Sequence, residues 1–137
     1  MASVFSRIIA GELPGRFVHE DAHTVAFLSI EPLQPGHTLV VPRAEIDHWL
    51  DLPPDLLDSL MRSSQHVGAG IQRAFRPTKV GMMLAGLEVP HVHVHLVPIA
   101  TVRDMDFANA DRAPDPAALD DAAERIRAAL GRESPPG

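Results

Sequence analysis

Cysteine is absent from the 137 residues of this chain. Disulfides, thiolate catalysis and cysteine-based zinc sites are therefore excluded, and a lack of thiols is typical of a reducing compartment. Long apolar runs are also missing, because the longest ones have only the length of a β-strand. The N-terminus shows no charged segment followed by a long apolar stretch, so no signal peptide is evident. We expect a cytoplasmic protein that does not enter a membrane.

Basic charge is scarce as well. The chain has 12 lysines and arginines against 18 acidic residues, which gives a net charge of −6. A protein that binds duplex nucleic acid usually shows a basic surface stripe, so a nucleic acid polymer is not an expected partner. The length suits one compact domain, and a chain of this size can bury a core without a metal or a disulfide.

Hydrophobic spacing predicts five strands and three helices. The strands are expected over residues 17–20, 24–29, 37–42, 79–84 and 91–99. The helices are expected over residues 4–10, 56–75 and 115–131. The long helix is expected to begin at the pair Pro53-Pro54 and to end before Pro77. The last helix is expected to have Asp115 as N-cap and Gly131 as C-cap. One long helix between two groups of mostly antiparallel strands predicts an α+β domain.

The segment with the most functional information is the run His91-Val92-His93-Val94-His95. Alternate side chains of a strand face opposite sides, so the three imidazoles should share one face while both valines point into the core. A neutral imidazole nitrogen can attack phosphorus near neutral pH, provided that an acceptor holds the other ring nitrogen as N–H. Neighbouring histidines can donate hydrogen bonds to the phosphate oxygens. The pattern predicts a histidine nucleophile with polar helpers on a rigid strand.

A metal site is the main alternative interpretation of these histidines. A His-x-His pair on a strand can bind zinc together with a distant third ligand. Three successive positions on one strand face span roughly 13 Å, which is too far for all three imidazoles to reach one ion. The pattern alone leaves a phosphorus-directed nucleophile and a two-histidine metal site both open.

The histidine run and three blocks before it resemble the histidine triad (HIT) superfamily. Its signature, His-x-His-x-His followed by two apolar residues, stands here as His91-Val92-His93-Val94-His95-Leu96-Val97. Residues 5–14, 26–32 and 35–43 match three further family blocks in the family's order. The resemblance covers about residues 3–103, which is most of the chain.

This resemblance implies a HIT-like α+β fold with a mostly antiparallel sheet, one long helix and a C-terminal helix, assembled as a homodimer. It divides the chain into a HIT domain, residues 1–110, and a C-terminal helix and tail, residues 111–137, packed on that domain or extending it. No cofactor and no metal are expected.

The roles of the family's residues transfer to this chain by position. His93 would form a covalent nucleotidyl-histidine at the α-phosphate, while His91 and His95 would orient it and contact that phosphate. His37 would be the supporting fourth histidine on a neighbouring strand. A third histidine is typical of hydrolase-like branches, so His95 favours hydrolysis over transfer. The expected pocket for a purine nucleotide or its conjugate is formed by Phe5, Ile8, Leu13, Phe27, Ser29, Leu39, Glu88 and Val89.

Some positions depart from the family pattern. Many bacterial members bind a structural zinc through Cys-x-x-Cys and a histidine, but those places hold Ser3, Ser6 and Glu45 here, so the zinc site is expected to be absent. Ser29 replaces the aspartate that holds both ribose hydroxyls, and it offers one neutral contact in place of two charge-assisted ones. The loop over residues 84–90 is shorter than in the family and lacks its Asn and Gln.

Glu88 takes the place of a serine or threonine that helps to protonate the leaving group. A carboxylate at this place could act as a general acid, or it could repel an anionic leaving group. As a further alternative, Glu88 is a solvated loop charge.

Three functions are therefore considered. The leading one is a nucleotide hydrolase or transferase that acts at the α-phosphate of a phosphoramidate or a dinucleoside polyphosphate. The second is a nucleotide-binding or interaction module with weak or vestigial catalysis, which Ser29 and the short loop favour. The third is a metallohydrolase that uses a histidine with a carboxylate.

Overall fold

The computed structural model describes residues 2–131. Its helices are α1 (Val4–Ile9), α2 (Pro54–Phe75) and α3 (Pro116–Gly131). Its strands are β1 (Phe17–Glu20), β2 (Thr24–Leu28), β3 (Thr38–Pro42), β4 (Lys79–Met83) and β5 (Val94–Ile99). Short 3-10 turns occur at Trp49–Asp51, Val102–Met105 and Phe107–Asn109. The predicted tail after α3 lies outside the described residues.

All five strands form one antiparallel sheet in the order β1-β2-β3-β5-β4. The sheet confirms the predicted α+β class, with its mostly antiparallel strands and one long helix. Within residues 2–131, β4 stands at an edge of the sheet and pairs with β5 alone. No helix of this part of the chain is long and apolar enough to span a membrane.

Both faces of the sheet are covered, and β2 and β3 are buried along their whole length. Such strands appear in a sequence as continuous hydrophobic runs. One face packs against α2 and α3, where the core includes Val40, Leu60 and Ile126. The opposite face packs against α1 through Phe5, Val25, Phe27, Leu39 and Val41. The candidate site lies on this second face.

Asp21 joins the β1–β2 turn to α2. One of its carboxylate oxygens accepts the amides of His23 and Thr24, at 3.0 and 2.8 Å. The other accepts the hydroxyls of Thr24 and Ser63, at 2.8 and 2.6 Å. Burial raises the pKa of Asp21, but these hydrogen bonds outweigh it and hold the pKa well below its ordinary value. The hairpin is therefore anchored to the long helix.

The ends of the two later helices follow local rules. The C-cap of α2 is Arg76, which adopts the left-handed conformation (φ 49°) directly before Pro77. The N-cap prediction for α3 is confirmed, because Oδ1 of Asp115 accepts the amide of Ala117 at 3.1 Å. Gly131, predicted as the C-cap, is instead a helical residue.

The strand predicted over residues 91–99 begins only at Val94, so that boundary was wrong. The amide of His91 donates to the carbonyl of Val89, and that of Val92 donates to the carbonyl of Ile46, so neither bonds to β3. α1, β2, β3 and β4 are each one residue shorter than predicted. The three 3-10 turns were not predicted.

Candidate active site

A cavity of about 920 Å³ opens on the α1 side of the sheet. This volume is within the range of small-molecule sites in proteins. The structure brings all eight predicted pocket residues to its wall, together with His37, His93 and His95. α1 contributes Phe5 and Ile8, and the ring of Phe5 stands edge-on to that of Phe27 at 5.6 Å between centroids. Their role in nucleotide binding stays a prediction.

The three imidazoles of the signature share one face of the sheet although β5 begins late. The ring of Phe5 contacts those of His91 and His93, at 5.8 and 4.9 Å between centroids, and His93 lies 4.8 Å from His95. Val92 and Val94 belong to the core on the opposite face. The predicted alternation is therefore confirmed.

His91 supports the site from behind and does not line the cavity. Its Nε2 lies 2.8 Å from the carbonyl oxygen of Pro42, which can only accept, so Nε2 carries the proton. Its Nδ1 then accepts from the hydroxyl of Ser3 at 2.7 Å. Burial lowers the pKa of His91, which favours this neutral form. Both ring nitrogens are bonded in this structure, so the predicted contact of His91 with the phosphate would require one of these bonds to break, and it stays a prediction.

His93 has the tautomer that a nucleophile needs. Its Nδ1 lies 2.7 Å from the backbone carbonyl oxygen of His91 and therefore donates a proton to it. In the neutral ring, Nε2 then has a free lone pair. A carboxylate oxygen of Glu88 lies 3.4 Å from this nitrogen. The predicted nucleophile thus faces the predicted leaving-group residue.

A second chain of hydrogen bonds sets the tautomer of His95. The amide of Leu33 donates to Nδ1 of His37 at 3.0 Å, so the proton of His37 is on Nε2 and points to Nδ1 of His95, 3.0 Å away. His95 must therefore carry its own proton on Nε2. That atom is buried and has no hydrogen-bond partner among the described residues. An unsatisfied buried N–H is costly, and His95 lines the cavity, so this N–H is a donor available to an acceptor that enters it.

Both rings of this chain are neutral at physiological pH. Burial, followed by the charges of His95 and His93, lowers the pKa of His37 to about 3. Burial and then the charge of His93 lower the pKa of His95 to about 4. Each ring can therefore donate one hydrogen bond and accept another, as the tautomer chain requires.

Glu88, His93 and His95 could in principle hold a metal ion. Each offers a ligand atom within 4.8 Å of the others, the one such group of three in residues 2–131. Nε2 of His95 carries a proton, however, and losing it would turn His37 against the donating amide of Leu33. Only two ligand atoms then remain, fewer than the three protein ligands of a catalytic zinc site. The tautomers favour a phosphate over a cation.

Ser3, Ser6 and Glu45 do not fit a structural zinc site. Two hydroxyls and a carboxylate stand where the resemblance implies two thiolates and a histidine. Structural zinc is bound mainly by thiolate sulfur and imidazole nitrogen. These residues form a hydrogen-bonded cluster instead.

Residues after β5 also line the cavity, and none of them was predicted as a pocket residue. Phe107 packs edge-on against His95 at 5.0 Å between ring centroids, while Arg112 and Asp120 stand at the rim. Arg112 pairs with Glu31 at 2.9 Å, and Asp120 pairs with Arg16 at 2.7 Å. Glu31 also lines the cavity, and its place two positions after Ser29 was the one sequence feature that pointed to it.

Comparison with known proteins identifies the family. The model of the HIT domain matches residues 10–102. An uncharacterised HIT-like protein of Methanocaldococcus jannaschii is 34% identical over 99 residues, covering 69% of this chain and 77% of its own. The zinc-bound histidine triad protein of Mycobacterium smegmatis has a TM-score of 0.83 at 25% identity, over 96% of this chain and 95% of its own. This chain belongs to the HIT family.

Two further relatives have names that state an activity. An asymmetrical bis(5'-nucleosyl)-tetraphosphatase of Schizosaccharomyces pombe is 35% identical over 93 residues, 64% of this chain and 50% of its own. An adenosine 5'-monophosphoramidase of Saccharomyces cerevisiae is 30% identical over 98 residues, 71% of this chain and 62% of its own. Some members of the family are thus nucleotide hydrolases.

Proposed function

We propose that this protein hydrolyses a nucleotide conjugate at its α-phosphate through a covalent nucleotidyl-histidine on His93. The observation that carries the proposal is the pairing of two opposite tautomers beside one cavity. His93 presents a lone pair on Nε2, and His95 presents a buried, unpartnered N–H. A phosphate needs both, a nucleophile for phosphorus and a donor for its oxygens.

The reaction proceeds in two balanced steps. Nε2 of His93 attacks the α-phosphorus, an N–P bond forms, and the bond to the leaving group breaks with its electron pair on that group, which takes up a proton from solvent as it departs. Water then attacks the same phosphorus, the N–P bond breaks with its electron pair returning to Nε2, and one water proton is released to solvent. Throughout, Nδ1 of His93 keeps its proton and donates it in a hydrogen bond to the carbonyl oxygen of His91, which stabilises the positive charge on the ring during the attack.

The substrate class follows from the wall of the cavity and from the relatives. Phe5 and Phe27 with the aliphatic residues beside them offer an apolar surface for a purine base. Two relatives have names that state an activity, and these names suggest a dinucleoside polyphosphate and a phosphoramidate as candidate substrates.

A binding module with weak catalysis is the second candidate function. The hydroxyl of Ser29 accepts the amide of Glu31 at 3.2 Å, so its lone pairs are partly used within the loop. The place of the family's ribose aspartate therefore offers little to two ribose hydroxyls. Tight AMP binding without turnover of either candidate substrate would favour this function.

We also propose that the protein is a homodimer. β4 is an edge strand, and Met82 on it has 58% of its surface exposed. An edge strand with an exposed apolar side chain favours pairing with another strand. A cytoplasmic location stays a prediction.

The direct test is to trap the intermediate. The protein is mixed with adenosine phosphoramidate and, separately, with diadenosine tetraphosphate, quenched, and analysed by intact mass and peptide mapping. We expect an adenylyl adduct on His93, and loss of both adduct and turnover in His93→Ala. His23→Ala is the matched control, because His23 is exposed on the β1–β2 turn, away from the cavity. Full turnover by His93→Ala would falsify the proposal.

A further inference from the structure

A polar cluster lies behind the nucleophile, on the side of His91 away from the cavity. It joins Ser3 and Ser6, at the start of α1, to Glu45 and to the buried ring of His91. Glu45 accepts the amide of Ser3 and, at 2.7 Å, the hydroxyl of Ser6. Ser3 is buried. Nothing in the two-step reaction uses this cluster directly.

The direction of each hydrogen bond can be derived. The proton on Nε2 of His91 is committed to the carbonyl of Pro42, so Nδ1 must accept. The hydroxyl proton of Ser3 therefore goes to Nδ1, 2.7 Å away, while the oxygen of Ser3 accepts the amide of Ser6 at 3.0 Å. Ser3 is thus the N-cap of α1 and the proton donor to His91 at once.

This double role links the nucleophile to the wall of the pocket. The carbonyl of His91 holds the proton on Nδ1 of His93, so a displaced His91 would move the nucleophile. α1 carries Phe5, whose ring contacts both His91 and His93. Glu45 fixes the start of the same helix through Ser3.

We infer that Ser3, held in place by Glu45, is a positioning residue for His93. Its hydroxyl proton clamps the second nitrogen of His91, and the clamped residue holds its carbonyl oxygen on Nδ1 of the nucleophile. The effect of Ser3 on the reaction rate rests on the function proposed above, whereas its effect on the protonation of His91 does not.

Three substitutions at one position separate positioning from helix capping. Ser3→Asn keeps a good N-cap and an N–H donor for His91, whereas Ser3→Gly caps a helix almost as well but has no side chain to donate a proton. Ser3→Ala removes both roles. If Ser3→Ala does not fold, the Asn and Gly variants still decide the question.

The rate of adduct formation in single turnovers should fall about 10- to 100-fold in Ser3→Gly and Ser3→Ala, the cost of a small misplacement of a reacting group. Ser3→Asn should stay close to the wild type. Glu45→Ala should lose rate in the same direction, and Glu12→Ala is its control, since Glu12 is an exposed acid that pairs with Arg7. A wild-type rate in Ser3→Gly would overturn the inference.

A spectroscopic readout keeps this result apart from the proposed function. Nitrogen-15 NMR of the imidazoles should show Nε2–H on His91 and Nδ1–H on His93 in the wild type. In Ser3→Asp, His91 should become protonated on both nitrogens at neutral pH, because a carboxylate facing Nδ1 requires a proton there. A neutral His91 in this variant refutes the clamp even if no substrate is turned over. A protonated His91 with no turnover by the wild type would refute the hydrolase alone.

Discussion

Two glycines of α2 allow a test of how α3 packs on the domain. A Cβ added at Gly70 would lie 2.5 Å from Cδ2 and 2.8 Å from Cγ of Leu130, on α3. At Gly68 it would meet its nearest atom, on Val80, only at 3.9 Å. Both changes to alanine gain about 1 kcal/mol of helix propensity. The difference between the variants therefore isolates the overlap with Leu130, which should cost about 1–3 kcal/mol.

We expect Gly68→Ala to raise the free energy of unfolding by up to about 1 kcal/mol. The free energy of unfolding of Gly70→Ala should be about 1–3 kcal/mol lower than that of Gly68→Ala. Urea unfolding followed by circular dichroism measures the free energy of both variants. An equal dependence of that free energy on urea concentration would show that the denatured state is unchanged. Equal midpoints for the two variants would contradict the close contact between α2 and α3.

Three more outcomes are expected. Asp21, whose side chain is 34% exposed, has a lowered pKa, so its stabilisation is present above about pH 4 and is lost as the pH falls further. Asp21→Asn should therefore lower the free energy of unfolding by about 1–2 kcal/mol at pH 7. It should also reduce the fall of that free energy below about pH 4, and an unchanged fall would contradict this. Glu88→Gln should shift the ratio of kcat/KM toward polyphosphate over phosphoramidate substrates about fivefold, for a repulsion of about 1 kcal/mol, and a constant ratio would oppose it. Phe107→Ala should raise KM about two- to tenfold, since it removes the aromatic contact with His95, and an unaltered KM would count against a role in the pocket.

Long periodic segments of the fold were predictable from the sequence. α2 and the buried strands β2 and β3 appear at their expected places because hydrophobic spacing directly records burial. The start of β5 was not predictable in this way, since periodicity does not show that the amide of Val92 bonds to Ile46. The short 3-10 turns depend on single caps, such as His48 and Asp106, which a pattern of apolar residues does not contain.

The candidate site was predictable where the family pattern applies. Alternation placed His93 and His95 on one face, but it could not show how deep His91 lies. That depth depends on α1, which covers the ring of His91 with Phe5. Arg112 at the rim comes from a segment beyond the resemblance, and only the folded chain brings it near the histidines.

The ion pair between α3 and the segment before β1 makes the cavity wall a long-range product of folding. Asp120 pairs with Arg16 across 104 positions of the chain, and both residues line the cavity. This part of the wall therefore forms only when α3 has packed on the sheet. If the proposed function holds, a bound nucleotide should slow amide exchange in α3 as well as in the sheet.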